Sequence, residues 1–238
     1  DGIRDKQICL VGSEMCIRDR GYSGSALMRT PDHALTLIEA VVRAVKIPVT
    51  LKTRLGWSDD MLNAPDIARR AEAAGIKMIT IHGRTRCQFY KGSADWAAIA
   101  QVKDAVSIPV IANGDIDSPN AARQALAQSG ADGVMIGRGA RGRPWLLAEV
   151  SHALYNTKVP EIPDGQAFAD MVRLHYAAMI RFYGEELGLR VARKHLGWYM
   201  DTCRTPAPLR KEVLTAPSVN ATEALLATAC IPQEACAA

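Results

Sequence analysis

Glycines and basic residues alternate in the stretch GVMIGRGARGRP, residues 133–144. Glycines let the backbone approach a ligand closely and point its amides toward it, and the arginines between them favour an anion such as a phosphate. A short apolar run of strand type, 134–136, comes directly before Gly137 and Arg138. The stretch therefore predicts a phosphate site after a strand, although a solvated basic turn has the same composition.

Three earlier runs of strand type end in polar or charged residues in the same way. Their endings carry Lys52 and Arg54, His82 and Arg84, and Asn113, Gly114 and Asp115. Such side chains can stabilise negative charge or hold a bound anion. Because parallel strands in a barrel bring their carboxyl ends to one face, we expect these residues to meet at a single site.

Helical and strand patterns alternate along the chain from Gly21 onward. Helical spacing at 34–45, 64–74, 96–106 and 119–128 separates strand patterns at 47–54, 78–81, 109–112 and 134–136. The sequence AVKIPV at 44–49 recurs as AVSIPV at 105–110, as expected of repeated βα units. The pattern predicts an α/β fold, the C-terminal half of a (β/α)8 TIM barrel followed by a small all-helical domain, with a doubly wound sheet as the alternative.

The composition divides the chain into three parts. Residues 1–20 show neither period and repeat themselves as GIRD and CIRD, so they are interpreted as a non-native leader. Residues 21–158 carry the βα pattern, and a proline-containing connection at 160–165 leads to a helical domain at 165–232. One of its helices, 189–200, places Arg190, Arg193 and Lys194 on one face, where they could contact RNA phosphates or form an ordinary solvated surface.

Length and charge narrow the class of protein. The chain has 238 residues, 48% of them hydrophobic, and a net charge of +4, which permits a polyanionic partner without requiring one. Nothing approaches the roughly 18 consecutive apolar residues of a membrane span. The six cysteines lack the paired spacing of a metal site, so we expect reduced thiols, no metal, and a monomeric cytoplasmic protein.

Four strand endings and one loop resemble those of the tRNA-dihydrouridine synthases, most closely the bacterial B type. They read VTLKTR, TIHGRTR, IANGDI and MIGRGARGRPW, with GYSGSALM as the loop, and the resemblance runs from Gly21 to at least Tyr199. It implies an FMN-binding barrel and a helical domain that holds tRNA. In that family FMN, reduced by NADPH, adds hydride to a uracil base of tRNA.

The resemblance also implies roles for individual residues. It implies cofactor contacts by Lys52, His82, Asn113, Gly114, Asp115, Gly137 and Arg138. It implies substrate contacts by Arg84, Arg190, Arg193 and Lys194. Lys52 would stabilise negative charge on the isoalloxazine ring, and the Asn-Gly-Asp turn and the Gly-Arg pair would receive the ribityl phosphate.

One departure from the family pattern concerns its catalytic cysteine, which lies in an Asn-x-Gly-Cys-Pro loop. That motif is absent here, because Cys16 is followed by Ile17 and Cys87 lies in another loop, so no catalytic residue is assigned. The chain is interpreted as a fragment without the first four βα units. Other interpretations are a dihydroorotate dehydrogenase-like FMN barrel, a non-catalytic RNA-binding fragment, and a flavin-free aldolase- or isomerase-type barrel with Lys52 as a Schiff-base lysine.

Overall fold

The computed structural model describes residues 24–231, which fall into two compact units divided between Gly137 and Arg138. The proposed leader at 1–20 lies outside the described residues. Within the described range, no helix has both the length and the apolarity needed to cross a membrane.

The first unit alternates helices and strands. Its elements are α1 (Pro31–Ala44), β1 (Thr50–Arg54), α2 (Ala64–Ala73), β2 (Met78–His82), α3 (Ala100–Ala105), β3 (Val110–Asn113), α4 (Pro119–Ser129) and β4 (Gly133–Met135). Short 3-10 helices cover Gly24–Arg29 and Ala97–Ile99. Ser118 caps α4, since its hydroxyl oxygen accepts a hydrogen bond from the amide of Ala121 at 3.1 Å.

The four strands form one parallel sheet in the order β1-β2-β3-β4. A doubly wound sheet reverses its strand order at a switch point, whereas strands that follow one another without reversal are the arrangement of a barrel wall. The predicted α/β barrel-type fold class is therefore confirmed, and the doubly wound alternative is not supported.

The two central strands are the most deeply buried part of this unit. Ile79 and Ile81 of β2 and Val110 and Ala112 of β3 are fully buried. Their β-branched and small side chains suit a sheet that is covered by helices on one face. The strand β1 begins at Thr50 rather than at the predicted residue 47. Pro48 explains part of this difference, because proline has no backbone N–H to donate to a neighbouring strand.

The second unit is helical. It contains a 3-10 helix (Arg138–Ala140), α5 (Leu146–Tyr155), α6 (Gly165–Tyr183), α7 (Glu185–Thr202), α8 (Ala207–Thr215) and α9 (Val219–Ala229). Helix α7 is longer than the predicted 189–200 at both ends. It is separated from α6 only by Gly184, whose φ of 76° breaks the helical path. Their core includes Phe168, Tyr176 and Leu196, each at most 2% exposed.

The division between the units lies earlier than the connection at 160–165 that the sequence suggests. Residues after Gly137 pack on the helices: the Trp145 and Phe168 rings are 5.9 Å apart, and the carbonyl of Gly142 accepts from the Thr202 hydroxyl at 3.2 Å. Helix α5 therefore belongs to the helical unit, although its sequence continues the βα pattern.

Candidate active site at the carboxyl ends of the strands

Strand register brings the polar strand endings of the first unit into one row. Arg54 of β1 pairs with His82 of β2, His82 pairs with Asn113 of β3, and Asn113 pairs with Met135 of β4. Since all four strands are parallel, these residues share the carboxyl edge, which is where barrel proteins build their active sites. The sequence prediction that His82 and Asn113 lie together is consistent with this register.

His82 lies at the centre of the row and is 8% exposed. Its pKa is lowered to about 3, mainly because burial disfavours the charged ring and further because Arg54, Lys52 and Arg84 are close, while Asp115 opposes the shift. His82 is therefore neutral near pH 7. It can form hydrogen bonds to a ligand while the surrounding cations supply a positive potential.

Acidification is expected to destabilise the first unit through His82. In the unfolded chain a histidine binds its proton near pH 6.5, whereas in the folded state it does so only near pH 3. The free energy of unfolding is therefore not reduced by His82 above about pH 6.5. Below that pH it falls by up to about 1.4 kcal/mol per pH unit. Urea unfolding at pH 7 and pH 5 should show this slope in the wild type and a shallower one in His82→Gln, and equal slopes would contradict the assignment.

Lys52 and Arg54 lie on the same face of β1 but differ in burial. The Lys52 side chain is exposed, whereas Arg54 is 5% exposed and donates from one guanidinium nitrogen, Nη1, to the carbonyls of Thr85 and Phe89, at 2.9 Å each. Arg54 thus fixes the loop that follows β2. The sequence places it at a strand end but gives no sign of this role, which depends on contacts more than thirty residues away along the chain.

Arg84 is placed differently from the substrate-facing position that the sequence suggests. Its side chain is 2% exposed and forms a bidentate ion pair with Asp115, Nη1–Oδ1 2.9 Å and Nη2–Oδ2 2.6 Å. It also donates to the carbonyls of Lys91 and Gly92, at 3.1 and 2.6 Å. Asp115 in turn accepts from the amide of Ala94 at 2.8 Å, so the pair joins the loops after β2 and β3.

The turn after β3 needs a glycine at position 114. Gly114 has φ of 117°, and a Cβ atom there would lie 2.8 Å from both His82 Cδ2 and Ala94 Cβ. Its carbonyl accepts from the Trp96 indole at 2.9 Å, and the Asn113 side-chain amide donates to the carbonyl of Met135 at 2.8 Å. The Asn-Gly-Asp turn is thereby held on both sides, with its backbone directly against His82.

Gly137 and Arg138, the second predicted phosphate contact, fall on either side of the division between the units. Gly137 is exposed with no heavy atom within 4 Å of a would-be Cβ, and Arg138 is exposed at the start of a 3-10 helix. Each lies at the surface of the unit to which it belongs.

The three basic residues predicted on one face of α7 do not share one environment. Arg190 and Lys194 are exposed, but Arg193 is half-buried and donates from Nη2 to the carbonyl of Ala216 at 3.1 Å. Arg193 therefore ties α7 to the residue after α8. Two basic side chains, rather than three, remain at the surface of this face.

A cluster of aromatic and histidine rings extends along the same helix. The ring of His195 is 5.0 Å from Trp198 and 5.2 Å from His175, and the guanidinium carbon of Arg141 lies 4.5 Å from the Trp198 ring centroid. Burial lowers the pKa of both His175 and His195. Because His175 and His195 lie on two different helices, the local sequence carries no signal that their rings meet.

No metal centre was predicted. Among the residues that the structure describes, no group of three or more His, Cys, Asp or Glu side chains could hold a metal ion. The cysteines in that range, Cys87, Cys203 and Cys230, are free thiols, and Cys87 is exposed.

Sequential parallel strands, a row of functional side chains at their carboxyl ends and a following helical unit define a barrel-type α/β protein with a small helical domain. The chain belongs to the dihydrouridine synthase (Dus) family, whose model matches residues 15–235. It is similar to a probable tRNA-dihydrouridine synthase of Rhodobacter capsulatus, 60% identical over 90% of this chain and 66% of the relative.

Two further relatives carry the B-type name. A tRNA-dihydrouridine synthase B of Xanthomonas axonopodis pv. citri is 49% identical over 86% of this chain and 61% of its own length. A tRNA-dihydrouridine synthase B of Vibrio cholerae is 50% identical over 81% of this chain and 60% of its own length. The chain thus spans about 60 to 66% of these relatives. A solved structure of mandelate oxidase matches 79% of this chain and 64% of its own length at 19% identity, with a TM-score of 0.35.

Proposed function

We propose that this chain is part of an FMN-dependent oxidoreductase that reduces uridine to 5,6-dihydrouridine in tRNA. The observation that carries the proposal is the strand-end row in which Arg54, His82 and Asn113 are in register, flanked by the Gly114 turn. Membership of a family whose relatives are named tRNA-dihydrouridine synthases supports the substrate.

The residues of the first unit fit an anionic, planar cofactor. Burial lowers the pKa of His82 most, and the nearby Arg54, Lys52 and Arg84 lower it further. These cations give the edge a positive potential that favours a phosphate or an electron-rich ring. The absence of a side chain at Gly114 lets the turn after β3 pack directly against His82, which fixes the position of the ring in the strand-end row.

FMN would be held by the residues that the family resemblance names. These are Lys52, His82, Asn113, Gly114, Asp115, Gly137 and Arg138. When bound, FMN supplies hydride transfer from NADPH to the uracil ring. Lys52 would then stabilise negative charge on the cofactor, neutral His82 would donate a hydrogen bond to the ligand, and Arg84 would position Asp115 rather than contact the substrate.

The helical unit is proposed to bind the tRNA backbone. Arg190 and Lys194 are exposed on α7, one helical turn apart, and each can contact a phosphate. Arg193 supports them indirectly through its hydrogen bond to Ala216. We also propose a cytoplasmic, monomeric protein; the free thiols among the described residues suit a reducing compartment.

FMN binding tests this proposal directly. The purified chain should show the visible absorption band of bound flavin after FMN is added, and Lys52→Met should weaken FMN affinity about tenfold through loss of one charge-assisted contact. Lys46→Met, which removes an exposed lysine outside the strands, serves as the matched control and should bind like the wild type. A gel-shift assay on the same preparations reports tRNA binding.

The outcomes separate the interpretations. A flavin band that weakens in Lys52→Met and persists in Lys46→Met supports the oxidoreductase. Absence of the band with tRNA still retarded would instead support a non-catalytic RNA-binding role, and flavin binding without any tRNA binding would favour a different FMN-dependent barrel.

A further inference from the structure

Two loops of the first unit remain paired beyond the ends of their strands. After β1 and β2, the amide of Leu55 donates to the carbonyl of Arg84 at 3.2 Å, that of Arg86 to Gly56 at 2.9 Å and that of Cys87 to Trp57 at 2.9 Å. This pairing holds the side chains of the two loops in a fixed arrangement above the strand-end row.

The paired loops present a stack of aromatic rings and guanidinium groups. The Arg86 guanidinium carbon lies 4.9 Å from the Trp57 ring centroid and 4.5 Å from that of Phe89. Arg29 lies 5.0 Å from the same Trp57 ring. Phe89 is 36% exposed, so part of its ring is open to solvent. We refer to Trp57, Arg86 and Phe89 as the stacking surface.

Phe89 adopts a backbone conformation that a bulky residue rarely takes. Its φ is 52°, in the left-handed region that normally costs a residue with a side chain about 1 kcal/mol or more. Buried Arg54 holds it there by donating to its carbonyl at 2.9 Å. Since the ring is not buried in the core, core packing does not explain the presence of an aromatic residue at this position.

The stacking surface is continuous with the strand-end row. The ring of Tyr90, the residue after Phe89, lies 6.2 Å from His82, and the guanidinium carbon of Arg54 lies 5.6 Å from the Tyr90 centroid. A polymer that placed one of its units beside His82 would therefore reach the stacking surface with the next unit.

The charges around this surface favour an anionic partner. Arg29, Arg54 and Arg86 contribute three positive charges, against the acids Asp59 and Asp60 of the β1 loop, and Asp59 already accepts from the Gln88 side chain at 3.2 Å. Trp57 is half-buried and Phe89 is exposed. Partly exposed rings interleaved with arginines suit single-stranded nucleic acid, because bases stack on the rings while phosphates contact the cations.

We propose that Trp57, Arg86 and Phe89 stack on a nucleotide adjoining the target uridine in a single-stranded loop of tRNA. This inference rests on the proposed function and adds a second contact region, in the first unit, to the basic face of α7. It assigns to the loop after β2 a part in positioning the substrate.

RNA affinity of matched variants tests the inference. Trp57→Leu and Phe89→Ala should each weaken binding of a labelled tRNA transcript and of a short uridine-containing single-stranded RNA by about 5- to 150-fold, the range for one lost base stack. Leu62→Ala, which shortens an aliphatic residue that is 52% exposed in the same loop, should leave affinity unchanged. FMN binding is measured on every variant.

Phe89→Gly distinguishes recognition from folding. Glycine adopts a positive φ freely, so this variant should melt no lower than Phe89→Ala while losing RNA affinity to the same extent. Unchanged RNA affinity in Trp57→Leu and Phe89→Gly would overturn the inference. A wild-type chain that binds RNA but no FMN would count against the proposed function and leave the stacking result to be judged separately.

Discussion

Replacing Arg84 with leucine is expected to destabilise the first unit by about 3 kcal/mol, near the lower end of the range for breaking a buried ion pair. The arginine is 2% exposed and its hydrogen bonds to Asp115, Lys91 and Gly92 lie inside the protein. The Asp115 side chain is 32% exposed, so water can hydrate it when its partner is removed. Urea unfolding followed by tryptophan fluorescence measures the change, because Trp96 donates to the neighbouring Gly114 carbonyl.

Arg70 provides a matched control for this substitution. It pairs with Asp32 at the same 2.6 Å, but the two side chains are 31% and 93% exposed, so water solvates both partners after either is lost. Arg70→Leu should therefore unfold at nearly the wild-type urea concentration. Equal losses for Arg84→Leu and Arg70→Leu would show that burial does not strengthen the Arg84–Asp115 pair.

A double-mutant cycle with Asp115→Asn separates the pair from its surroundings. If Arg84 acts through Asp115, the free energy of unfolding of the double variant should fall by clearly less than the sum of the two single-variant losses. Additive losses would instead place the effect of Arg84 in its hydrogen bonds to Lys91 and Gly92.

The sequence identified the strands and the residues at their ends because these features are local. A run of β-branched residues closed by polar or glycine residues predicts a strand wherever it occurs, and Ile79 and Val110 lie in strands accordingly. The error at residues 96–106, a 3-10 turn followed by a short helix, also has a local cause, since its apolar spacing fits either helix type.

The partners of the charged side chains could not be predicted in the same way. Arg84 pairs with a residue 31 positions away, and Arg193 bonds a carbonyl 23 positions away. Neither separation leaves a periodic signal, since each is set by how the loops after separate elements meet. The family resemblance implies substrate contacts for both arginines, whereas their internal hydrogen bonds depend on tertiary surroundings that the local sequence does not record.

The placement of α5 illustrates the same limit. Its helical pattern follows a strand, as a barrel helix should, yet the Trp145 ring contacts Phe168 of the helical unit. Whether an amphipathic helix covers a sheet or joins a bundle depends on the partner that it meets, and its own sequence does not record that partner.

Gly114→Ala is expected to lower the stability of the first unit by about 2–5 kcal/mol and to abolish FMN binding if the proposed function holds. Two penalties combine: alanine must adopt φ of 117°, and its Cβ would lie 2.8 Å from both His82 Cδ2 and Ala94 Cβ. Relief of that contact requires His82 to move, which would disturb the centre of the strand-end row. The measurements are urea unfolding and the visible absorption of added FMN.

Gly130→Ala isolates the backbone penalty in this comparison. Gly130 ends α4 with φ of 63°, and a Cβ atom there meets nothing within 4 Å, so only about 1 kcal/mol of conformational strain is expected. FMN affinity should be unaffected, since this turn lies at the opposite end of the βα unit from the strand-end row. If both variants lose the same stability and both keep FMN, close packing of the turn against His82 is not what the site requires, and the glycine serves only the turn.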